Sequence, residues 1–232
     1  MASREMRPVQ ARHEYKHSLN YADYILLRDR LKRTMRRDSH VDQNGEYMVR
    51  SLYFDTPGDK ALREKIDGVD RREKFRVRRY IGADDHLVLE KKSKIHGLCY
   101  KKSCCLTRGE LELLQGGALK WMALDGRELV RELYTKMKNE QLRPKTIVDY
   151  VREPFVCPAG NVRITFDRDI RTGLFSTDFL SDDLPTVKAG DEIVLLEVKY
   201  DEFIPDHIVH LLQLEGRRAS ACSKYALCRV YG

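Results

Sequence analysis

The chain has 232 residues, of which 42% are hydrophobic and 34% are charged. The apolar fraction is too high for a disordered chain, and the length suits one domain spanning residues 1–232. No stretch contains the roughly 18 to 20 apolar residues of a membrane span, and the first ten residues lack the apolar core of a signal peptide. We therefore expect a cytoplasmic protein without a membrane span of its own.

Basic residues outnumber acidic residues by 43 to 36, which gives a formal net charge of +7. This charge favours an anionic partner, which could be nucleic acid, a phosphorylated metabolite or an acidic membrane. The six cysteines include no CxxC pair and accompany no export signal, so they predict reduced thiols and neither disulfides nor a zinc site. Which of these anionic partners the protein binds must be inferred from where the charged residues lie in the predicted strands and helices.

The first half of the chain is predicted to form five strands and three helices. The strands cover residues 9–19, 46–55, 71–81, 86–93 and 98–107, which are rich in β-forming residues or alternate between polar and apolar. Asn20 is a candidate N-cap for a helix that runs to about Met35. Thr56-Pro57 opens a short helix that ends near Lys65, and Thr107 with Glu110 matches the capping box of a third helix.

The second half is predicted to begin with a helix from about Arg127 to Asn139. Three more strands follow over residues 145–153, 161–170 and 192–201, and a last helix runs from Pro205 to about Leu214. The short connections favour antiparallel pairing. The sequence therefore predicts an α+β fold, built on an eight-stranded antiparallel sheet or barrel with helices packed outside.

Five of these strands place charged residues on one shared face, because residues two apart in a strand point the same way. The sets are Glu14 and Lys16; Arg76 and Arg78; Glu90 and Lys92; Arg163, Thr165 and Asp167; and Glu197 and Lys199. The opposite face carries apolar residues such as Phe75, Val77, Ile164 and Phe166. Either the charged face is simply exposed to solvent, or it points into the interior of a barrel.

Because the charged pattern recurs in five strands, it favours a charged face that points into the interior of a barrel. A barrel lined by so many cations is tolerable only when its cavity is wet and binds a polyanion. Phosphate chains suit such a cavity, since arginine binds phosphate oxygens in a bidentate manner and lysine supplies a point charge. The few carboxylates could then hold a divalent metal that bridges the phosphates.

Seven segments, in this order along nearly the whole chain, resemble the VTC (vacuolar transporter chaperone) domain, the polyphosphate polymerase branch of the triphosphate tunnel metalloenzymes within the CYTH-like superfamily. They are Glu14-Tyr15-Lys16, SLYFDTP at 51–57, Arg76-x-Arg78, LVLEKK at 87–92, ITFD at 164–167, LLEVKYD at 195–201 and Ser223-Lys224-Tyr225. The resemblance implies an eight-stranded tunnel that binds ATP with Mn²⁺ or Mg²⁺. It further implies transfer of the terminal phosphoryl group to a growing inorganic polyphosphate chain.

The resemblance also implies roles for eleven residues. The catalytic set is Arg76, Arg78, Lys92, Arg152 and Arg163; the phosphate-binding set is Lys16, Lys199, Ser223 and Lys224; the metal ligands are Glu197 and Glu14. Lys101 and Lys102 lie where the family has further basic residues, and the sequence does not decide which points inward. The sequence also does not decide the role of Asp55, which could be a metal ligand or the cap of the following helix.

The chain also departs from the family pattern. Ala221 stands where other members often have a basic residue, so one phosphate contact is absent or comes from Arg217 or Arg218. The resemblance is to the stand-alone bacterial versions, and we expect neither the SPX module nor the membrane segments that eukaryotic members carry beside this domain. Export of the product would then need a membrane-protein partner.

Two alternatives from other functional classes stay open. Water in place of the phosphate acceptor would make the same tunnel a triphosphate or nucleoside-triphosphate phosphohydrolase, and a tunnel without turnover would be a polyphosphate-binding module. Nucleic acid is not an expected partner, because the chain has no helix-turn-helix, zinc finger or aromatic RNA-recognition signature.

Overall fold

The computed structural model describes residues 12–82, 86–190, 193–213 and 222–230. The strands in these ranges are β1 (His13–Leu19), β2 (Arg36–Arg37), β3 (Tyr47–Asp55), β4 (Arg72–Ile81), β5 (Leu87–Ile95), β6 (Leu98–Leu106), β7 (Arg143–Cys157), β8 (Val162–Thr172), β9 (Val187–Lys188) and β10 (Val194–Tyr200). The α-helices are α1 (Tyr21–Thr34), α2 (Lys60–Ile66), α3 (Arg108–Gln115), α4 (Glu128–Asn139), α5 (Asp206–Leu212) and α6 (Lys224–Cys228).

All eight predicted strands are present, and the two-residue strands β2 and β9 are additional. β7 extends beyond the predicted range of 145–153 at both ends. Residues 9–11 and 192 of the predicted strands and residue 214 of the last predicted helix lie outside the described residues. None of the helices within the described ranges has both the length and the apolar composition needed to cross a membrane.

The starts of α1 and α3 form as predicted, whereas α2 begins at Lys60, later than the predicted start at Thr56-Pro57. Asn20 accepts a hydrogen bond from the backbone N–H of Asp23 at 2.8 Å, which caps α1. Thr107 accepts from the N–H of Glu110 at 3.2 Å, and the Glu110 carboxylate accepts from the N–H of Thr107 at 2.8 Å. This reciprocal pair satisfies two N–H groups that the first turn of α3 would otherwise leave free.

The sheet is antiparallel throughout and follows the order β1-β10-β8-β7-β3-β4-β5-β6. β2 extends the pairing of β7, and β9 that of β8. The two outer strands approach each other where an isolated bridge joins Arg12 to Cys99. The eight-stranded antiparallel prediction is confirmed, although the ladder between β1 and β6 is a single bridge in the described residues and the barrel is therefore not fully closed.

Apolar cores lie on the outer face of this curled sheet. One joins Phe75, Val77 and Leu89 to helices α3 and α4, and another joins Ile164 and Phe166 to helix α1. Each fully buried side chain of this kind contributes roughly 1.5–3 kcal/mol. Because these cores face outward under helices, the charged face points into the sheet interior. The alternative of a solvated charged face is therefore wrong.

Helix α6 differs from the outer helices because it lies against the inner face at one end of the sheet. The ring of Tyr225 stacks on Tyr53 with 5.1 Å between centroids, and its hydroxyl donates to Asp55 at 2.6 Å. Asp55 is fully buried and also accepts from the backbone N–H groups of Thr56 and Ala61 at 2.8 and 2.9 Å. Asp55 thus caps α2 and fastens α6, and it is not placed as a metal ligand.

The Asp55→Ala substitution should lower the free energy of unfolding by about 3 kcal/mol, because it leaves buried N–H groups without an acceptor. Tyr225→Phe removes only one of the hydrogen bonds and should cost about 1 kcal/mol. Urea denaturation measures both values. Asp67→Ala, at the exposed end of α2, is the control, and a loss there as large as in Asp55→Ala would contradict this role of Asp55.

Candidate functional site

A cavity of about 430 Å³ lies inside the curled sheet, and we call it the tunnel cavity. All eleven site residues predicted from the sequence line it: Glu14, Lys16, Arg76, Arg78, Lys92, Arg152, Arg163, Glu197, Lys199, Ser223 and Lys224. They come from six strands and from the start of α6. Their roles remain predictions, whereas their common location is a feature of the fold.

Strand register explains how distant residues meet. Glu14 lies opposite Lys199 and Lys16 lies opposite Glu197 where β1 pairs with β10. Across β4 and β5, Arg76 lies opposite Glu90. Because every second side chain of each strand points inward, the pairing brings acidic and basic residues side by side on the same inner wall.

Glu197 is the most connected carboxylate of the site. It lies 2.9 Å from Lys199 and 3.0 Å from Lys224, and its two oxygens are each 3.4 Å from a further cation, Lys16 and Arg152. Burial alone would raise the pKa of Glu197, but these cations hold it well below its ordinary value. Glu197 is therefore a permanent anion in the wall of the cavity.

Glu90 orders the two arginines of β4. This fully buried carboxylate lies 2.7 Å from Arg76 and 2.5 Å from Arg78. Lys101 also reaches it at 2.5 Å, whereas Lys102 pairs with Glu128 of the outer helix α4 at 3.0 Å. The structure thus places Lys101 on the inside and Lys102 on the outside.

Asp167 orders basic residues on the opposite wall of the cavity in the same way. It accepts hydrogen bonds from two nitrogens of Arg152, at 2.6 and 2.7 Å, and it forms an ion pair with Lys224. Asp167 therefore fixes one edge of the planar guanidinium group of Arg152. The remaining N–H groups of Arg152 are available to a ligand in the cavity.

Arg163 and Ser223 have protein partners that the sequence did not reveal. Arg163 lies 2.7 Å from Asp38 and donates to the hydroxyl of Tyr47 at 2.9 Å. The Ser223 hydroxyl oxygen accepts from the N–H of Ala226 at 3.4 Å, which caps α6. Its hydrogen is still free to donate, so capping and phosphate binding are compatible. Ala221, Arg217 and Arg218 lie outside the described residues.

Several residues of the cavity wall were missed by the sequence interpretation. Lys74 and Arg72 precede Arg76 on the same face of β4, Lys94 follows Lys92 on β5, and Tyr150 precedes Arg152 on β7. The two-residue alternation that placed Arg76 and Lys92 on the charged face could have been extended along β4 and β5 by one or two more inward positions, and applied to β7 from Arg152.

The cavity wall carries a large excess of positive charge. Among the described residues that line it, fourteen are Lys or Arg and three are Glu. Burial, with Arg76 and other cations nearby, lowers the pKa of Lys92 well below its ordinary value. Burial likewise lowers the pKa of Lys74 from 10.5 to about 8. Such an environment is favourable for an anion with several charges.

Two carboxylates could serve a divalent cation. Glu14 and Glu197 share Lys16, which lies 3.2 Å from one and 3.4 Å from the other, and the buried Oε1 atom of Glu14 makes no well-directed hydrogen bond to any described residue. Mg²⁺ is commonly bound by one or two carboxylates, substrate phosphates and water. The pair fits this mode, although no cluster of three or more ligand side chains suited to a metal exists in the described ranges.

Comparison with protein families matches residues 11–230 to the VTC domain. A comparison with curated proteins finds no match. The match to the VTC domain covers most of the chain and confirms the resemblance inferred from the seven segments.

Solved structures share the fold. A candidate adenylate cyclase from Bacillus halodurans aligns with a TM-score of 0.54 and 14% identity, over 89% of this chain and 88% of that one. A candidate adenylyl cyclase from Hippeastrum with a dominant triphosphatase activity aligns with a TM-score of 0.54 and 16% identity, over 94% and 95% of the two chains. At these identities the likeness establishes the tunnel fold alone.

The low pKa of Lys74 predicts a stability effect with a defined pH range. Below about pH 8 this lysine is charged in both the folded and unfolded states, and its burial destabilises the fold. Between about 8 and 10.5 the unfolded state binds more protons, so stability rises with pH. Lys74→Met should therefore be more stable than the native protein at pH 7, and the difference should shrink as the pH approaches 10.5.

Urea denaturation from pH 7 to 10.5 measures this difference. Lys102→Met, which removes a lysine from the outer face, is the matched control and should show no such trend. A destabilised Lys74→Met protein at pH 7 would contradict the interpretation.

Proposed function

The chain belongs to the VTC domain family, and from this premise we propose that it is a metal-dependent polyphosphate polymerase. It transfers the terminal phosphoryl group of ATP to a growing chain of inorganic polyphosphate. The proposal rests on the length and charge of the tunnel cavity together with the family membership.

The observation that carries the proposal is the continuous row of cations on β4. Arg72, Lys74, Arg76 and Arg78 all line the cavity. Six residue steps at ~3.3 Å per residue give this row a length of roughly 20 Å. A terminal triphosphate needs only part of that length, whereas a linear chain of phosphates can use all of it.

Phosphoryl transfer depends on in-line positioning and charge neutralisation more than on a covalent nucleophile. Arg76 and Arg78 are fixed by Glu90, and Arg152 is fixed by Asp167, so these guanidinium groups are oriented before substrate arrives. We propose that these three arginines, together with Arg163, stabilise the negative charge on the phosphoryl group while it is transferred. Lys16, Lys92 and Lys224 then orient the donor and the acceptor.

In the proposed reaction, a terminal oxygen of the acceptor phosphate forms a bond to the γ-phosphorus of ATP. The bond between this phosphorus and the β,γ-bridging oxygen breaks, and ADP leaves with the electron pair. Glu14 and Glu197 would hold the divalent cation, Mn²⁺ or Mg²⁺, which neutralises charge on the donor phosphates. Lys199, 2.9 Å from Glu197, keeps that carboxylate oriented and contacts phosphate.

Hydrolysis is the second candidate function. The Hippeastrum protein with the same fold has a dominant triphosphatase activity. Water at the acceptor position of this chain would release orthophosphate by the same bond changes. A binding module without turnover is less favoured, because the carboxylates of Glu14 and Glu197 would repel a polyphosphate ligand that brings no metal.

Purified protein incubated with ATP labelled in its γ-phosphate, Mn²⁺ or Mg²⁺, and a short polyphosphate primer should place label in long chains. Gel separation of the products measures this. Label found only in orthophosphate would establish the hydrolase, and tight polyphosphate binding without any labelled product would establish the binding module. Lys102→Met should behave like the native protein.

Glu14→Gln should reduce turnover by about tenfold or more at limiting Mn²⁺, because it removes one of the two carboxylates assigned to the cation. Excess Mn²⁺ should recover part of the loss. Glu14 is the sharper target, since Glu197 also neutralises Lys16, Lys199, Lys224 and Arg152 and its loss should disturb the whole wall. The control is Glu128→Gln on the outer face. An unchanged Mn²⁺ dependence in Glu14→Gln would remove Glu14 from the metal site.

A further inference from the structure

Thirteen of the fourteen basic residues that line the tunnel cavity in the described ranges fall into two groups. Most are bound by a carboxylate: Arg76, Arg78 and Lys101 by Glu90, Arg152 and Lys224 by Asp167, Lys16 and Lys199 by Glu197, Arg163 by Asp38, and Arg12 by Asp201. Four others form no ion pair with any carboxylate of the described residues. These four, Arg72, Lys74, Lys92 and Lys94, we call the unpaired quartet.

The quartet is compact. Arg72 lies directly opposite Lys94, and Lys74 lies directly opposite Lys92, where β4 pairs with β5. Like charges directly opposite each other in a sheet destabilise the pairing. All four are half-buried and line the tunnel cavity. Glu14 attracts Lys74 and Lys92 at longer range, but no described carboxylate forms an ion pair with any of the four, so the quartet is the part of the wall that gains most from a bound anion.

A second cavity of about 510 Å³ lies beside the quartet. We call it the side cavity. It lies between α2 and strands β4 and β5, and its outer wall is a chain of ion pairs in which Lys136 of α4 bridges Glu73 and Glu140 at 2.6 Å each. Both cavities are lined by Ala61, Arg72, Glu73, Lys74 and Ser93. The side cavity therefore adjoins the tunnel cavity at the quartet.

We infer that the unpaired quartet is the acceptor subsite of the tunnel, which binds the phosphate group that receives the transferred phosphoryl, and that the side cavity is the route by which this group enters. The ligand is inorganic phosphate or the terminal phosphate of a polyphosphate chain, which share the same chemistry. The inference rests on the proposed function and gives it a place for the second substrate.

Two features assign this subsite to the acceptor and not to the metal-bearing donor. Of the two carboxylates suited to a divalent cation, Glu197 lies on β10, four strands away from β4. Glu14 on β1 forms its ion pairs with Lys16 and Lys199 and not with the quartet. Glu73, the acidic residue shared by both cavities, is already bound by Lys91 at 2.7 Å and by Lys136. An acceptor needs cations alone, and an entrance of its own lets it arrive while the nucleotide occupies the tunnel.

Proton linkage gives the subsite a measurable signature. With a pKa of about 8, Lys74 is partly neutral in the free protein at pH 8.5. A phosphate anion beside it favours the ammonium form and raises that pKa. Binding of the acceptor at pH 8.5 should therefore take up protons, and calorimetry in buffers of different ionisation enthalpy detects this uptake.

The decisive experiment measures binding with the donor site saturated by a non-hydrolysable ATP analogue and Mg²⁺. Inorganic phosphate and tripolyphosphate are then titrated into the native protein and into Lys74→Met/Lys94→Met, which changes two residues of the quartet that have no assigned role in binding the donor. The double variant should bind the added anion at least about tenfold more weakly, with proton uptake lost, while affinity for the analogue changes less than about threefold. A larger response to phosphate or to tripolyphosphate identifies which source the subsite prefers.

Equal or greater loss of analogue affinity would overturn the inference by placing the quartet in the donor site. Unchanged anion binding would overturn it as well. Lys102→Met is the matched control for the loss of a lysine. Because binding needs no turnover, this result stands whether or not labelled chains form, so a failure of the polymerase assignment is recognised separately.

Ala61→Phe tests the route without removing a charge, because the larger ring fills the space between the two cavities. The KM for the primer should rise by about tenfold while the KM for ATP stays nearly constant. Thermal unfolding of the same protein checks that α2 remains folded. If it does not, Ala61→Leu is the substitute: the KM for the primer should rise there too, by a smaller factor, and a constant primer KM in that variant would also overturn the route. Ala61→Ser is the size control and should leave both KM values unchanged. A constant primer KM in folded Ala61→Phe would overturn the route through the side cavity.

Discussion

The structure depends on keeping an excess of positive charge inside a sheet. Burying charged groups is costly unless they are paired and hydrogen-bonded. Three carboxylates meet this requirement: Glu90, Asp167 and Glu197, each of which binds at least two cations from different strands or from α6. The apolar cores on the outer face supply the favourable burial that a charged interior cannot. Two of the apolar cores therefore lie outside the sheet, and the interior is apolar only where α6 packs against it.

The pattern of ion pairs also distinguishes two kinds of basic residue within the cavity. An arginine already held on one edge by a carboxylate loses little freedom when a phosphate binds its other edge, and so it is preorganised for charge that develops during a reaction. The unpaired quartet has the opposite character. Its mutual repulsion weakens the free protein and is relieved when an anion arrives, which is a usual relation between stability and function at a binding site.

Sequence alternation predicted much of this arrangement and missed the rest for identifiable reasons. It placed the eight strands and eight of the eleven cavity residues, because the period of two fixes which side chains share a face. Arg152, Ser223 and Lys224 came from the family resemblance alone. Alternation could not decide between Lys101 and Lys102, because that choice depends on the register of β6 against β5, which lies outside any single strand. The partnership of Arg163 with Asp38 and the side cavity beside α2 depend on how loops and helices pack, and no local pattern records these contacts.

The distinction between polymerase and hydrolase then becomes a question of what occupies one end of the cavity. Water and a phosphate acceptor compete for the same γ-phosphorus, and the residues that stabilise the transferring group serve both. A cluster of unpaired cations gains electrostatic energy from an anionic acceptor and none of comparable size from a neutral water molecule. On the proposed assignment, the unpaired quartet therefore shifts the competition toward transfer, and relatives with the same tunnel but with these four charges neutralised would be expected to favour hydrolysis.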